Sequence, residues 1–224
     1  NQILKVGDKY GYDYDMVFNK GAAWGQLQGK WNQFDAFLSA ELSFTSYYRN
    51  GNYQNGLFID NSLGKSEIQN FLNYGIKGGA TYKINGRNYI YANRSYSTRA
   101  PYFEDIFVSP RTRNSAIADP KNEKIASVES GYVLNTPRVK ARLSGYLTKF
   151  NDLTQTLTFY HDVYRNNVNY TLTDIDKINF GGELGIEAKI YKGLTASLAA
   201  AVGRYYYTSR QKATVTVDNS SDVL

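Results

Sequence analysis

The chain has no cysteine, one histidine, one methionine and only four prolines among its 224 residues. Without thiols there is no disulfide, no thiolate metal site and no cysteine nucleophile. His161 cannot make a metal cluster alone and is read as a loop residue, and no cofactor is expected. Long apolar runs are missing too. No stretch of about 18 apolar residues occurs, and a mean hydropathy of -0.50 with 42% hydrophobic content excludes a helical membrane protein. Asn1 to Lys20 lacks both an initiating Met and the apolar core of a leader, so the sequence reads as an excerpt from a longer mature protein. Negative charge is in the minority, giving a formal net charge of +6. The Lys and Arg residues are nevertheless scattered rather than clustered, which argues against a nucleic-acid partner.

What the chain has in excess is tyrosine, at 21 residues, a type that suits both strand backbones and membrane–water interfaces. It also carries a face-alternating apolar pattern. Phe34, Ala36, Leu38, Ala40, Leu42 and Phe44 fall on one face, with Asp35, Ser39, Glu41, Ser43 and Thr45 on the other, the period-two mark of a strand with one apolar and one wet side. A second run sets Leu72, Tyr74, Ile76, Gly78, Ala80, Tyr82 and Ile84 against Asn73, Gly75, Lys77, Gly79, Thr81 and Lys83. A third sets Phe180, Gly182, Leu184, Ile186, Ala188 and Ile190 against Asn179, Gly181, Glu183, Gly185, Glu187 and Lys189. A tilted strand needs about 9–11 residues to cross a bilayer's hydrocarbon. Runs of this length, charged on one face only, fit a membrane-spanning β-barrel better than a soluble sandwich.

Four short turn signals punctuate the pattern: Trp31-Asn32-Gln33, Asn85-Gly86-Arg87, Asn135-Thr136-Pro137-Arg138 and Tyr191-Lys192-Gly193. Asn-Gly is a strong hairpin signal and Pro137 cannot sit in a central ladder. Long polar excursions lie between them, around Arg49 to Gln69, Ala100 to Lys124, Asn151 to Lys177, and from Tyr207 onward. Alternation of tight turns with long loops is what an outer-membrane barrel shows, and a soluble sandwich has no reason to sort its loops this way. The predicted strands are Gly21 to Lys30, Phe34 to Tyr48, Asn70 to Ile84, Asn88 to Thr98, Ile125 to Leu134, Val139 to Phe150, Ile178 to Ile190 and Leu194 to Tyr206. In the fourth, Arg94 falls in phase with Ile90 and Ala92, so either a bulge shifts the register or the other face is outward. Leu153 to Thr173 can extend its flanking strands beyond the membrane. Tyr10, Tyr12, Tyr14, Met16 and Phe18 alternate as the upper part of a strand whose partner has been cut away.

The phase makes Ala40, Leu42, Ile76, Ala80, Leu143, Leu184, Ile186, Leu198 and Ala200 lipid-facing, with Glu41, Lys77, Arg142, Glu183 and Glu187 inward. Glu183 and Glu187 share a face as a glycosidase pair would, but their phase is that of ordinary lumenal residues. No His-x-x-x-His pair, Gly-x-Ser-x-Gly elbow or phosphate-cradling loop occurs, so no enzyme is expected. Arg111 and Arg113 either grip an anionic ligand or lipid headgroup through charge-assisted bonds or are simply solvated.

Five segments carry a resemblance. Arg99-Ala100-Pro101-Tyr102-Phe103-Glu104-Asp105, then Asp119-Pro120-Lys121-Asn122-Glu123-Lys124, then Ser127-Val128-Glu129-Ser130-Gly131-Tyr132 resemble, in order and spacing, the middle of the barrel in TonB-dependent outer-membrane receptors. Lys121 stands where that family often places an acid. Tyr146-Leu147-Thr148-Lys149-Phe150-Asn151-Asp152 and Phe180-Gly181-Gly182-Glu183-Leu184 resemble later strands of the same barrel.

The resemblance, over about Asn88 to Tyr206, implies an all-β antiparallel transmembrane barrel in the outer membrane of a Gram-negative cell. The chain would supply about eight of the family's 22 strands, with residues 1–224 all barrel and the plug domain and closing strand outside them. It implies energy-dependent uptake of a scarce ligand, a siderophore, haem, cobalamin or glycan. The partners implied are outer-membrane lipid, the protein's own plug, and the inner-membrane TonB energy-transducing complex acting through that plug. Ligand capture would fall on long connections and upper strand ends, with Tyr47, Arg49, Tyr53, Tyr102, Arg111, Arg113, Tyr160 and Tyr164 as candidate contacts. A passive porin or adhesion barrel is the alternative, separated by energy dependence. A soluble carbohydrate-binding β-protein is the third reading, separated by detergent dependence.

Overall fold

Backbone pairing across a long antiparallel ladder organises the chain. The computed structural model of the protein describes residues 3–221. The strands are β1 (Tyr14–Trp31), β2 (Phe34–Gly51), β3 (Gly64–Lys65), β4 (Gln69–Lys83), β5 (Asn88–Arg99), β6 (Glu123–Asn135), β7 (Val139–His161), β8 (Asn166–Tyr191), β9 (Leu194–Tyr207) and β10 (Lys212–Val217), with one short helix, α1 (Phe103–Ile106). They form a single open sheet in the order β1-β2-β4-β5-β6-β7-β8-β10, with β3 added to β2 and β9 to β8. β9 pairs with the lower half of β8 and β10 with its upper half, so the two make one interrupted strand along it. Neighbours in space are neighbours in sequence along the main path, and the sheet stays open.

All four short turn signals close hairpins at one end of the sheet. Asn32 and Gly193 take positive φ values of 46° and 77° there, a conformation asparagine tolerates and glycine adopts without steric cost. The ladders from β1 through β6 run without a register shift. Ala40 lies opposite Ile76, Leu143 opposite Leu184, and Ile186 opposite Leu198. All nine residues assigned to lipid therefore share one face, and all five assigned inward share the other. Leu42, Ile76, Leu143 and Leu198 are 55%, 51%, 56% and 58% exposed, so among the described residues no layer covers the apolar face.

Two expectations change. Arg94 needs no bulge and no reversal of face. It sits in register between Gly78 and Val128, on the apolar side with Ile90 and Ala92, while Tyr91 on the opposite side bonds Glu129. The stretch from Tyr14 to Phe18 has a partner, because β1 pairs with β2 from Tyr14 opposite Gly51 downward; Tyr10 and Tyr12 precede the strand. The stretch from Leu153 to Thr173 does extend its flanking strands, with β7 and β8 running upward to a four-residue connection. The β7–β8 ladder slips around Leu153, where Asp152 and Asp174 take φ values of 56° and 55°. That irregularity marks where the two strands leave the long apolar run and become a polar hairpin.

An arginine at Ile186, within the apolar face, is expected to cost about 2–4 kcal/mol of folding stability in a bilayer, and Glu187→Gln on the other face far less. Denaturant unfolding of the full-length protein from vesicles reads the difference.

Candidate functional site

The polar face is charged along its length and roofed at its upper end. Midway up the wall, Tyr91 Oη donates to Glu129 Oε1 at 2.5 Å, and Arg142 donates to both that phenol and that carboxylate at 2.7 Å. Gly131 makes this possible, because a Cβ there would lie 2.7 Å from the Tyr91 ring. Gly181 does the same beneath Tyr146, whose hydroxyl lies 2.9 Å from that of Tyr205. An open depression of about 790 Å³ is lined by Glu129 and Arg142 of this cluster together with Ser127, Tyr146, Thr148 and Glu183. Aromatic rings laid over glycines thus pave the wall and leave charged groups facing into the interior.

The roof is the connection between β5 and β6. Its two ends are clamped by Arg99, whose Nε donates to Glu123 Oε2 at 2.5 Å. Glu123 is buried and also accepts from the Thr154 amide. Inside the clamp, Pro101 ends the strand by removing a donor, and α1 turns the chain onto the polar face. Phe103, Ile106, Phe107, Val108 and Ile117 pack there against Tyr47 and Phe71 of β2 and β4, the buried apolar cluster of the described residues. Asp105 on α1 accepts from the Thr156 amide of β7 at 2.7 Å.

Arg49 pins this roof to the first long connection. Fully buried, it donates to the carbonyls of Pro110 and Ser62 and to Asn114 Oδ1, at 2.6, 2.9 and 2.5 Å, and its guanidinium lies over the Tyr14 ring. One residue past Pro110, Arg111 donates to Asp218 at 2.9 Å, just beyond β10. Asn169 Nδ2 donates to both Ser109 Oγ and Asp218 Oδ1, tying β8 into the same junction. β2 and β10 are six strands apart in the sheet order, roughly 29 Å measured along the ladder. Two consecutive loop residues nevertheless reach both, so the sheet curls around its polar face, and the roof spans the opening.

The eight candidate contacts divide accordingly. Tyr47 is buried and donates to the Pro101 carbonyl at 2.9 Å. Arg49 and Arg113 are buried, the latter over the Phe58 ring and donating to the Ser220 carbonyl. Arg111 is half-buried in its ion pair and Tyr53 is half-buried. Tyr102, stacked with Arg99, is 58% exposed on the roof. Tyr160 and Tyr164 are exposed on the β7–β8 hairpin, with the Tyr164 ring beside His161. The structure gathers Arg49, Arg111 and Arg113 around one roof and leaves the hairpin tyrosines apart. Missed in the sequence were Glu123, Asn114, Asn169 and Asp218. For Glu123 the signal was there, since it follows the long connection that Arg99 precedes.

No family model and no curated protein sequence matches the chain. Among solved structures it is similar to the copper transporter OprC, with a TM-score of 0.66 and 20% identity, over 85% of this chain and 30% of that one. The fold is that of an outer-membrane barrel wall. The described strands span only part of such a wall, which agrees with the open sheet and with its two unpaired edges at β1 and β9–β10.

Two outcomes follow for the roof of this barrel wall. Arg49→Met leaves three acceptors without their donor, Ser62 O among them fully buried, and is expected to cost about 2–4 kcal/mol of roof docking, read as faster protease cleavage within residues 100–122. Burial pushes the Asp105 carboxyl above its ordinary value of 3.8, so the docked roof binds that proton more readily than the free loop. The resulting stabilisation is complete below pH 3.8 and is lost as pH rises through the raised value. Asp105→Asn should flatten the change in protease resistance between acid and neutral pH while keeping the Thr156 bond.

Proposed function

We propose that the chain is part of a TonB-dependent receptor, carrying a scarce ligand across the outer membrane of a Gram-negative cell. The single observation that carries this reading is the inner surface. Along β2, β4, β6, β7 and β8 it presents Glu41, Lys77, Glu129, Arg142, Glu183 and Glu187 toward an interior that the described residues fill only at the top. A wall so charged, wide enough to need strands beyond this sheet, fits a barrel occupied by a plug that pairs with those groups. The motif order from Arg99 to Tyr132 and the likeness in fold support the same reading. In this scheme ligand meets Tyr53, Tyr102, Tyr160 and Tyr164 and the edge of Arg111, while Tyr47, Arg49 and Arg113 hold the roof that presents them.

Cargo class follows from the side chains. Exposed tyrosines with cations behind them suit an organic chelate, a porphyrin or a glycan through stacking and charge-assisted bonds. A copper cargo, as the name of OprC specifies for that protein, draws on Cys, Met and His. This stretch offers Met16 on β1 and His161 on β7, so bare copper would find its ligands elsewhere. A passive pore is the second reading, favoured by the width of the charged inner surface alone.

The test is uptake by cells carrying the full-length protein, using ferric siderophores, haem, cobalamin and oligosaccharides as separate probes. Saturable uptake of one probe that stops when the proton gradient is collapsed is the expected result. Uptake that is linear with concentration and indifferent to the gradient would assign a passive pore instead.

A further inference from the structure

The last limb of the roof, from Asn114 to Lys121, has a depression on each side. One, of about 640 Å³, opens toward the first long connection, with Asp60, Lys65, Glu67 and Gln69 along its far wall. The other, of about 300 Å³, opens toward the upper parts of β7, β8 and β10, with Thr154, Thr173, Asp174, Lys212 and Thr214 opposite. Ile117, Ala118 and Asp119 line both, so the two are consecutive compartments of one groove at the long-loop end. None of the eight candidate contacts lines it.

The side chains around the groove are unequally satisfied. Its cations are engaged: Asp174 takes Lys121 at 3.1 Å and Lys212 at 2.7 Å, and the Lys65 ammonium lies over the Tyr48 ring. Its remaining acceptors are not. Asp60, Glu67 and Asp119 form no ion pair among the described residues, and the hydroxyls of Thr154, Thr173 and Thr214 form no hydrogen bond there. Thr154 is decisive because it is only 7% exposed. Its amide donates to Glu123 at 3.2 Å, while its hydroxyl is left unbonded beside the smaller compartment. A buried hydroxyl is ordinarily paired, so the contents of the cavity complete it.

This chemistry selects the occupant. Three carboxylates without counter-ions disfavour an anionic chelate or a porphyrin with its propionates, and no aromatic ring lines the groove to stack on a macrocycle. Among the described residues no group of three His, Cys, Asp or Glu side chains could hold a metal ion. A ligand covered in hydroxyls fits instead, because each hydroxyl donates to a carboxylate and exchanges bonds with threonine. Two compartments sharing a wall suit several such units in a row.

We propose that the groove binds a neutral oligosaccharide, with one sugar ring held by Thr154 and Asp119 in the smaller compartment and the chain continuing past Asp119 into the larger one. This narrows the cargo of the receptor reading above and rests on it.

Purified full-length protein, in a detergent without sugar headgroups, is mixed separately with maltotriose, cellotriose, mannotriose and the anionic trigalacturonate, and binding is read by saturation-transfer NMR. At least one neutral trisaccharide should bind, and trigalacturonate should not. Thr154→Val, which removes the hydroxyl and keeps the amide bond to Glu123, should weaken that binding about five-fold. Asp119→Ala should weaken it about ten-fold, since a bond to a charged group is the stronger. Where Thr154→Val fails to assemble, Thr214→Val reads the same compartment. Lys192→Gln, at the turn end, should change nothing. Binding of no neutral trisaccharide, binding of trigalacturonate as tight as theirs, or an affinity unaltered by both the threonine and the Asp119 changes overturns the proposal. Uptake separates it from the wider reading. Gradient-dependent uptake of a ferric siderophore with no sugar bound here overturns the groove alone, whereas a trisaccharide that binds here and enters without need of the gradient overturns the receptor reading alone.

Discussion

Everything in this structure depends on an unbroken ladder register. Within hydrocarbon each backbone N–H and C=O must be bonded inside the protein, which an antiparallel sheet achieves only if strands stay paired from one interface to the other. Side chains alternate strictly while that pairing holds, and a slip of one residue would turn every charge to lipid. The chain obeys this from β1 to β6 without interruption and relaxes it around Leu153, above the apolar run of β7 and β8, and at the foot of β8 between Lys189 and Tyr191, beside the turn. Loops, roof and inner charges are free to serve function because the ladder has already sorted the two environments.

The roof shows how an opening can be organised without adding strands. Its residues come from the middle of the sheet, yet Arg49 takes it to one side and Asp218 to the other, through carbonyl and carboxylate acceptors held apart from water. Buried arginine satisfied by carbonyls is a rigid arrangement, since removal of the cation leaves several acceptors unpaired at once. Exposed Tyr102 then projects from a fixed base. The hairpin carrying Tyr160 and Tyr164 rises separately on β7 and β8, with the stacked Phe159 and Tyr170 rings stiffening its stem.

Much of the wall was legible in the sequence because period-two patterning is a direct image of the ladder. Short turns were legible from Asn-Gly and Pro137, and the orientation of Glu41, Lys77, Arg142, Glu183 and Glu187 followed from phase alone. Arg94 misled for a physical reason: a single long cation can sit on the lipid face while the ladder keeps its register, so a charge need not reverse the phase. The upward extension of β7 and β8 was legible over Leu153 to Thr173 but not its exact limits, because their upper halves are Thr- and Asn-rich, a composition shared by loops and by solvated strands. The candidate residues were legible as a set but not in their roles. Whether Arg49 faces a ligand or supports a loop depends on carbonyls of Ser62 and Pro110, and backbone acceptors leave no mark in a sequence.

The claim most open to direct measurement is that one face of this sheet meets lipid and the other meets water. The absence of native cysteine in this chain makes single-cysteine scanning along β8, from Ile178 to Ile190, unambiguous within it. In the full-length protein in vesicles, spin labels at 178, 180, 182, 184, 186, 188 and 190 should be quenched by oxygen dissolved in lipid. Labels at the intervening positions should respond to a water-soluble relaxing agent instead. A period of two with these phases is the predicted result. Equal access to both quenchers along the strand, or protection of both sets as in a dry protein core, would contradict the barrel wall.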